Sequence, residues 1–215
     1  MRLRFTLPLL SIAVASVFTA AVLPAQQSPM PAQAAPAEKP KPKVRPVDQA
    51  PALPTRFDFL RGAYGPFRAN NDLLYYHLDI RVDPEQKFIS GKNTIRFRML
   101  NSGARIQLDL TEALAIDKIL WNGTPLKYER DTGAVFVAFP RTLRASEVVT
   151  IDFYYSGHPP ETGRFGAFTF KKDAAGHTWI NTACEGTGAS IWWPDKDQWR
   201  DEVESMDISV AVPNG

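Results

Sequence analysis

Tyr76-His77-Leu78-Asp79-Ile80-Arg81-Val82 alternates apolar and polar side chains without a break. Successive side chains of a strand point to opposite faces, so Tyr76, Leu78, Ile80 and Val82 share one face, and His77 reads as a solvated, outward residue. The same period returns in Ile95, Phe97 and Met99 against Thr94, Arg96 and Arg98, and again in Ile106, Leu108 and Leu110. Val149, Ile151, Phe153 and Tyr155 repeat it, as do Met206, Ile208, Val210 and Val212. No window carries a sustained helical stripe with caps. The expectation is an all-β domain of antiparallel sheets, sandwiched or saddle-shaped.

Turn chemistry falls between these runs. Asp83-Pro84 with Gly91 marks one reversal, and Asn122-Gly123 is the dipeptide of a two-residue hairpin, because both residues tolerate positive φ. Asn122-Gly123-Thr124 also matches a glycosylation acceptor, but the hairpin explains the same residues and Pro125 follows.

Working outward to the N-terminus, Met1, Arg2 and Arg4 form a small positive region before an uncharged run from Phe5 to Leu23. That layout is a secretory signal peptide over residues 1–25, with Ala25 the preferred cleavage point. The rival is an uncleaved anchor over residues 5–23, since the run approaches the ~20 residues that span a bilayer; Pro8, Pro24 and the small residues favour cleavage. Either way the chain is expected to be exported, to the periplasm or beyond, and to meet a membrane only if the segment stays uncleaved. Residues 26–54 are rich in Pro, Ala, Gln and Lys and offer almost nothing to bury, so they read as a disordered, semi-rigid linker. Residues 55–215 are long enough for one domain that buries about two-thirds of its unfolded surface.

Composition excludes several functions. The formal net charge is +2 and no basic patch recurs beyond the linker, so no nucleic-acid partner is expected. Cys184 is the single cysteine, which forbids an internal disulfide and any zinc site built on cysteine pairs. The three histidines, His77, His158 and His177, do not form His-Glu-x-x-His or any i, i+4 pair. No metal ligand and no catalytic residue is assigned.

Between Gly163 and Glu204 the sequence stops reading as an ordinary sandwich. Trp179-Ile180-Asn181-Thr182-Ala183-Cys184-Glu185-Gly186 precedes Ala189-Ser190-Ile191-Trp192-Trp193-Pro194-Asp195-Lys196-Asp197, then Trp199, Asp201, Glu202 and Glu204. Such a density of aromatics and carboxylates costs stability unless the carboxylates are paired or face solvent. The reading for Asp195, Asp197, Asp201, Glu202 and Glu204 is a solvated acidic loop and strand start. Trp192, Trp193 and Trp199 read as packing at a domain junction.

Here the chain resembles the N-terminal domain of the aminopeptidase N family of zinc metallopeptidases, which also includes leukotriene hydrolase. The resemblance rests on a Tyr-x-Leu-x-Ile-x-Val-Asp-Pro strand followed by Gly-x-x-x-Ile-x-Phe, from Tyr76 to Phe97; on Tyr155-Ser156-Gly157; and on Ala183 to Asp197, similar to a Gln-x-Glu element with a following aromatic-Pro-x-x-Asp. It covers Arg61 to Gly215. It implies that Glu185, at the glutamate of Gln-x-Glu, binds the free α-ammonium of a peptide substrate. Only a chain end carries that charge, so the contact would separate ends from interiors. The family's glutamine falls on Ala183, which removes an amide from the substrate side of the cleft. Asp195 replaces a frequent cysteine, and Asp197 keeps a carboxylate that braces the loop. The resemblance further implies zinc in the full-length enzyme, with its ligands, general base and Gly-x-Met-Glu-Asn motif beyond Gly215 in a catalytic domain that partners this one. The fragment is expected to bind no zinc and to be inactive alone, and its sheets to leave an apolar face uncovered.

Two other classes fit parts of the sequence. A secreted β-sandwich binding module would stack sugar rings on Trp192, Trp193 and Trp199. A glycosidase would need two of the clustered carboxylates, none of which stands out as a pair.

Overall fold

The computed structural model describes residues 53, 55–161, 168–185 and 188–213. The signal segment and nearly all of the linker expected over residues 1–54 lie outside the described residues. Two short helices, α1 (Arg56–Gly62) and α2 (Pro66–Ala69), lead into the strands β1 (Asn71–Asp83), β2 (Phe88–Met99), β3 (Gly103–Asp109), β4 (Leu114–Trp121), β5 (Thr124–Pro125) and β6 (Lys127–Asp131). These are followed by β7 (Ala134–Leu143), β8 (Val148–Gly157), β9 (Phe168–Lys172), β10 (Thr178–Thr182), a 3-10 turn (Ala189–Ile191) and β11 (Ser205–Ala211). The domain is all-β and dominated by antiparallel pairs, as the alternation predicts.

A six-stranded sheet runs in the order β11-β1-β2-β8-β4-β5, and a three-stranded sheet in the order β3-β7-β6. Their inner faces meet in one core. Tyr76, Leu78, Ile80 and Val82 of β1, Ile95, Phe97 and Met99 of β2, and Val149, Ile151, Phe153 and Tyr155 of β8 are all buried there. Ile106 and Leu108 of β3 with Val135 and Val137 of β7 close it from the other side. Full burial of a Leu, Ile or Phe side chain stabilises by roughly 1.5–3 kcal/mol, so these strands carry most of the folding energy.

Local chemistry sets the connections. Asp83 ends β1 by accepting the amides of Glu85 and Gln86 on one carboxylate oxygen, at 3.0 and 2.9 Å. Asn122 (φ 51°) and Gly123 (φ 78°) form the expected two-residue turn between β4 and β5. Gly91, expected at the Asp83-Pro84 reversal, instead sits inside β2 opposite Ile80. A Cβ there would lie 2.2 Å from the Asp79 carbonyl oxygen, so the glycine permits close strand approach, and Lys87 (φ 52°) takes the left-handed turn position.

The structure adds to or departs from the sequence reading in further ways. α1 is a helix where none was expected: seven residues are too few for a periodic stripe, but Thr55 and Asp58 form a reciprocal capping box. β11 pairs with β1 in parallel, so one edge of the main sheet is not antiparallel. Ile208, Val210 and Val212 are 58%, 51% and 63% exposed. Ile208 and Val210 sit opposite Leu78 and Ile80; the core-side face of the sheet thus continues onto β11, where the second sheet no longer covers it. His77 is half-buried rather than solvated, because β11 brings the Ser209 hydroxyl within 3.1 Å of its Nε2.

Candidate functional site

β9 and β10 pair as a separate hairpin whose outgoing strand ends at Thr182. It delivers Ala183, half-buried, and Glu185, exposed, at the start of a turn. The Gly188 amide donates to the Cys184 carbonyl at 2.9 Å and closes that turn, and Trp192 Nε1 donates to Cys184 Sγ at 3.3 Å. Burial raises the Cys184 thiol pKa, so the sulfur is an acceptor rather than a nucleophile. Gly188 has φ 76°, and a Cβ on it would meet the Asp197 carboxylate at 1.9 Å. Only glycine fits there.

Behind the turn the chain from Ser190 to Asp201 enters the domain. Asp109 and Asp195 form an isolated antiparallel bridge, with amide-to-carbonyl distances of 2.7 and 3.1 Å. Trp193 packs edge-on against Tyr76 with ring centroids 5.1 Å apart, and Trp192 lies against Phe168 at 5.4 Å. These contacts match the packing reading: Trp193 is buried and Trp192 packs partly buried against the core. Trp199 differs: it is 79% exposed, with the Arg200 guanidinium 5.1 Å from its ring.

The solvated-loop reading fails for three of the five carboxylates. Asp195 is buried, and the Asp197 and Asp201 side chains are mostly so, whereas Glu202 and Glu204 are exposed. Cations account for Asp197 and Asp201, whereas Asp195 forms no ion pair among the described residues. Arg68 of α2 is fully buried and forms an ion pair with Asp109. Lys196 is buried too, bonding Asp201 and donating to the Asn71 carbonyl at 2.7 Å. Asp201 in turn accepts the Leu73 amide at 3.1 Å. Asp197 accepts from the Ser190 hydroxyl at 2.8 Å and from Arg61 Nε at 3.3 Å, while its own amide donates to Asp109 at 3.0 Å. This carboxylate braces the segment, as the resemblance implies.

Desolvation dominates the charges that lack full compensation. Burial raises the Asp109 carboxyl to about 6, and Arg68 and the Asp197 amide oppose that shift only in part. The Asp195 carboxyl is pushed well above the usual range, first by burial and then by the nearby Asp197 and Asp109 carboxylates. One of its oxygens has no hydrogen-bond partner among the described residues. A protonated Asp195 is the form this environment favours.

A cavity of about 270 Å³ lies between α1 and the 3-10 turn, lined by Leu60, Arg61, Asp109, Thr132, Ser190 and Ile191 among others. Among the described residues no group of three or more His, Cys, Asp or Glu side chains is placed to hold a metal ion. The Asp109, Asp197 and Asp201 carboxylates are already engaged by Arg68, Arg61, Lys196 and backbone amides, and burial pushes the Asp195 carboxyl toward its neutral form. This donor set does not fit zinc.

The model of the peptidase M1 N-terminal domain family matches residues 73–214, and the chain belongs to that family. Solved structures agree. An M1 zinc metallopeptidase from Deinococcus radiodurans is 25% identical with a TM-score of 0.55, over 67% of this chain and 33% of that one. The same organism's enzyme bound to a Tyr-Ser-Ala substrate gives 24% identity and a TM-score of 0.57, over 71% and 35%. Yeast LTA4 hydrolase shares the fold at 17% identity and a TM-score of 0.58, over 76% of this chain and 27% of its own. No curated protein sequence matches significantly. The chain therefore spans about a third of the length of the M1 metallopeptidases it resembles.

Proposed function

We propose that this chain is the substrate-recognition and scaffold domain of an exported zinc aminopeptidase, and that Glu185 binds the α-ammonium of the peptide to be trimmed. The observation that carries this reading is the setting of Glu185. It is exposed on a turn whose far side is tied to the core by Asp197, Trp192 and the Asp109–Asp195 bridge, so the backbone that carries it is anchored. Ala183 beside it presents no amide, which leaves the first substrate side chain less constrained on this flank. Peptide substrates are supported by the Tyr-Ser-Ala complex of the D. radiodurans relative. Zinc, its ligands and the general base belong to a catalytic domain outside this sequence, and the chain alone is inactive. Export follows from the uncharged run before the linker.

In the full-length enzyme, Glu185→Gln keeps the shape and removes the charge. It should lower kcat/KM for free-amine substrates by roughly ten- to over a hundredfold, corresponding to about 1.5–3 kcal/mol for a charge-assisted hydrogen bond. Zinc content and melting temperature should hold. An N-acetylated peptide has no ammonium and should be equally poor for both enzymes. Parental rates in the variant on free-amine substrates would reduce Glu185 to an ordinary loop carboxylate. N-terminal sequencing tests export separately: a mature start near Val22 or Gln26 supports it, and retained Met1 on membrane-extracted protein indicates an anchor.

A further inference from the structure

The family match begins at residue 73, yet much of what holds the recognition segment comes from residues before it. The stretch from Thr55 to Asn70 meets the segment at Asp197 and Gln198 through polar groups, and is itself tied to β3 and to Arg68. Its carbonyls at Leu60, Arg61 and Gly62 accept, respectively, from Gln107 at 3.1 Å, Arg68 at 2.5 Å and Gln198 at 3.4 Å. Arg68 also donates to the Asp197 carbonyl at 3.3 Å, and Arg61 Nε to the Asp197 carboxylate. At its other end, Arg56 forms an ion pair with Asp131, which ties α1 to β6.

We infer that this stretch is a strap that positions the recognition turn, with Arg61 its direct contact and Asp197 the relay. The path is short. Asp197 accepts from Arg61 and Ser190 on the same oxygen, and its carboxylate fills the space where a side chain on Gly188 would sit. Gly188 closes the turn onto Cys184, next to Glu185. The cavity between α1 and the 3-10 turn leaves little apolar packing between strap and loop there, so the polar bridge through Arg61 bears the contact. The side chain of Arg61 is 30% exposed, and on its removal the Asp197 carboxylate keeps the Ser190 hydroxyl as a donor. A replacement should therefore loosen the turn without unfolding the sheets. The mechanical claim stands on this geometry; its meaning for catalysis rests on the proposed role of Glu185.

Amide hydrogen exchange on this chain tests the strap. Arg61→Leu should speed exchange at Gly188 and Trp192 by about 1.5- to fivefold, the range of a partly screened ion pair, while Ile95 and Ile151 keep their parental protection. Arg61→Lys, which restores the charge, should recover part of the loss. Unchanged exchange at Gly188 overturns the proposal, and so does equal acceleration at Ile95 and Ile151, which would make the strap a general stabiliser. In the full-length enzyme Arg61→Leu should raise KM for free-amine substrates with kcat nearly constant and leave N-acetylated substrates unaffected. If Glu185→Gln is silent while Arg61→Leu still frees Gly188, the strap stands and the role of Glu185 falls. If Glu185→Gln lowers kcat/KM but Arg61→Leu leaves KM unchanged, the positioning role is overturned.

Discussion

The inner faces of β1, β2 and β8 and the segment from Ser190 to Asp201 both pass through the interior, held there by opposite means. The strands bury aliphatic and aromatic side chains in strict alternation. The segment buries Asp195 and Lys196 outright and holds Asp197 and Asp201 against Arg61, Lys196 and backbone amides. Apolar burial is non-directional and tolerates small shifts. Buried charge is directional, and losing one partner strands the other. The contrast teaches that the sheets give the domain its stability while the charged segment ties the turn beside Glu185 to the core.

The largest effects test each side of that contrast. Phe153→Ala in β8 removes a fully buried ring and should cost about 3–5 kcal/mol in chemical denaturation. Arg68→Met should cost a similar amount, about 3–5 kcal/mol, by leaving the Asp109 carboxylate buried without its cation. The two losses should separate with pH: the Phe153 variant should lose the same amount at pH 5 and pH 8, whereas the Arg68 variant should recover at pH 5, where Asp109 can take a proton. Equal losses at both values would mean that Arg68 acts by packing alone.

A smaller effect sharpens the same point in the parental protein. Asp109 and Asp195 both bind protons more tightly folded than unfolded, because burial raises both carboxyls. Between the ordinary carboxylate range near 4 and about 6, the folded state therefore holds more protons, and unfolding free energy falls as pH rises through that window. Asp195→Asn keeps the neutral shape and should flatten this decline, seen as a smaller drop in melting temperature from pH 5 to pH 7.5. A steeper decline in the variant would assign the dependence to other groups.

The smallest expected effect lies at the edge of the charged region. Thr55→Ala removes the cap of α1 and should cost about 1 kcal/mol or less. Because α1 carries Arg61, Gly188 exchange should rise while Ile95 stays protected. A loss shared equally by both amides would erase the distinction between scaffold and strap.

The legible part of the fold was the part governed by local repetition. Leu78, Phe97 and Phe153 announce their burial through neighbours two residues away, and Asn122-Gly123 announces its turn through backbone freedom. The role proposed for Glu185 rests on resemblance, since a lone exposed carboxylate carries no pattern of its own. Asp195, Asp197 and Asp201 were misread because nothing local distinguishes a solvated aspartate from one that the fold buries. Arg68 and Asp109 are 41 residues apart in sequence, Leu73 and Asp201 128 apart.

The sequence by itself determined the strands, their inward faces and the tight turn, because period two and positive φ are properties of adjacent residues. Only the tertiary structure decided the parallel placement of β11 and the uncovered Ile208 and Val210. It alone set the ion pairs around Asp109 and Asp201 and the strap over Asp197. Each of these depends on which groups meet across the chain, and a charge becomes buried or solvated only once its partner's position is fixed.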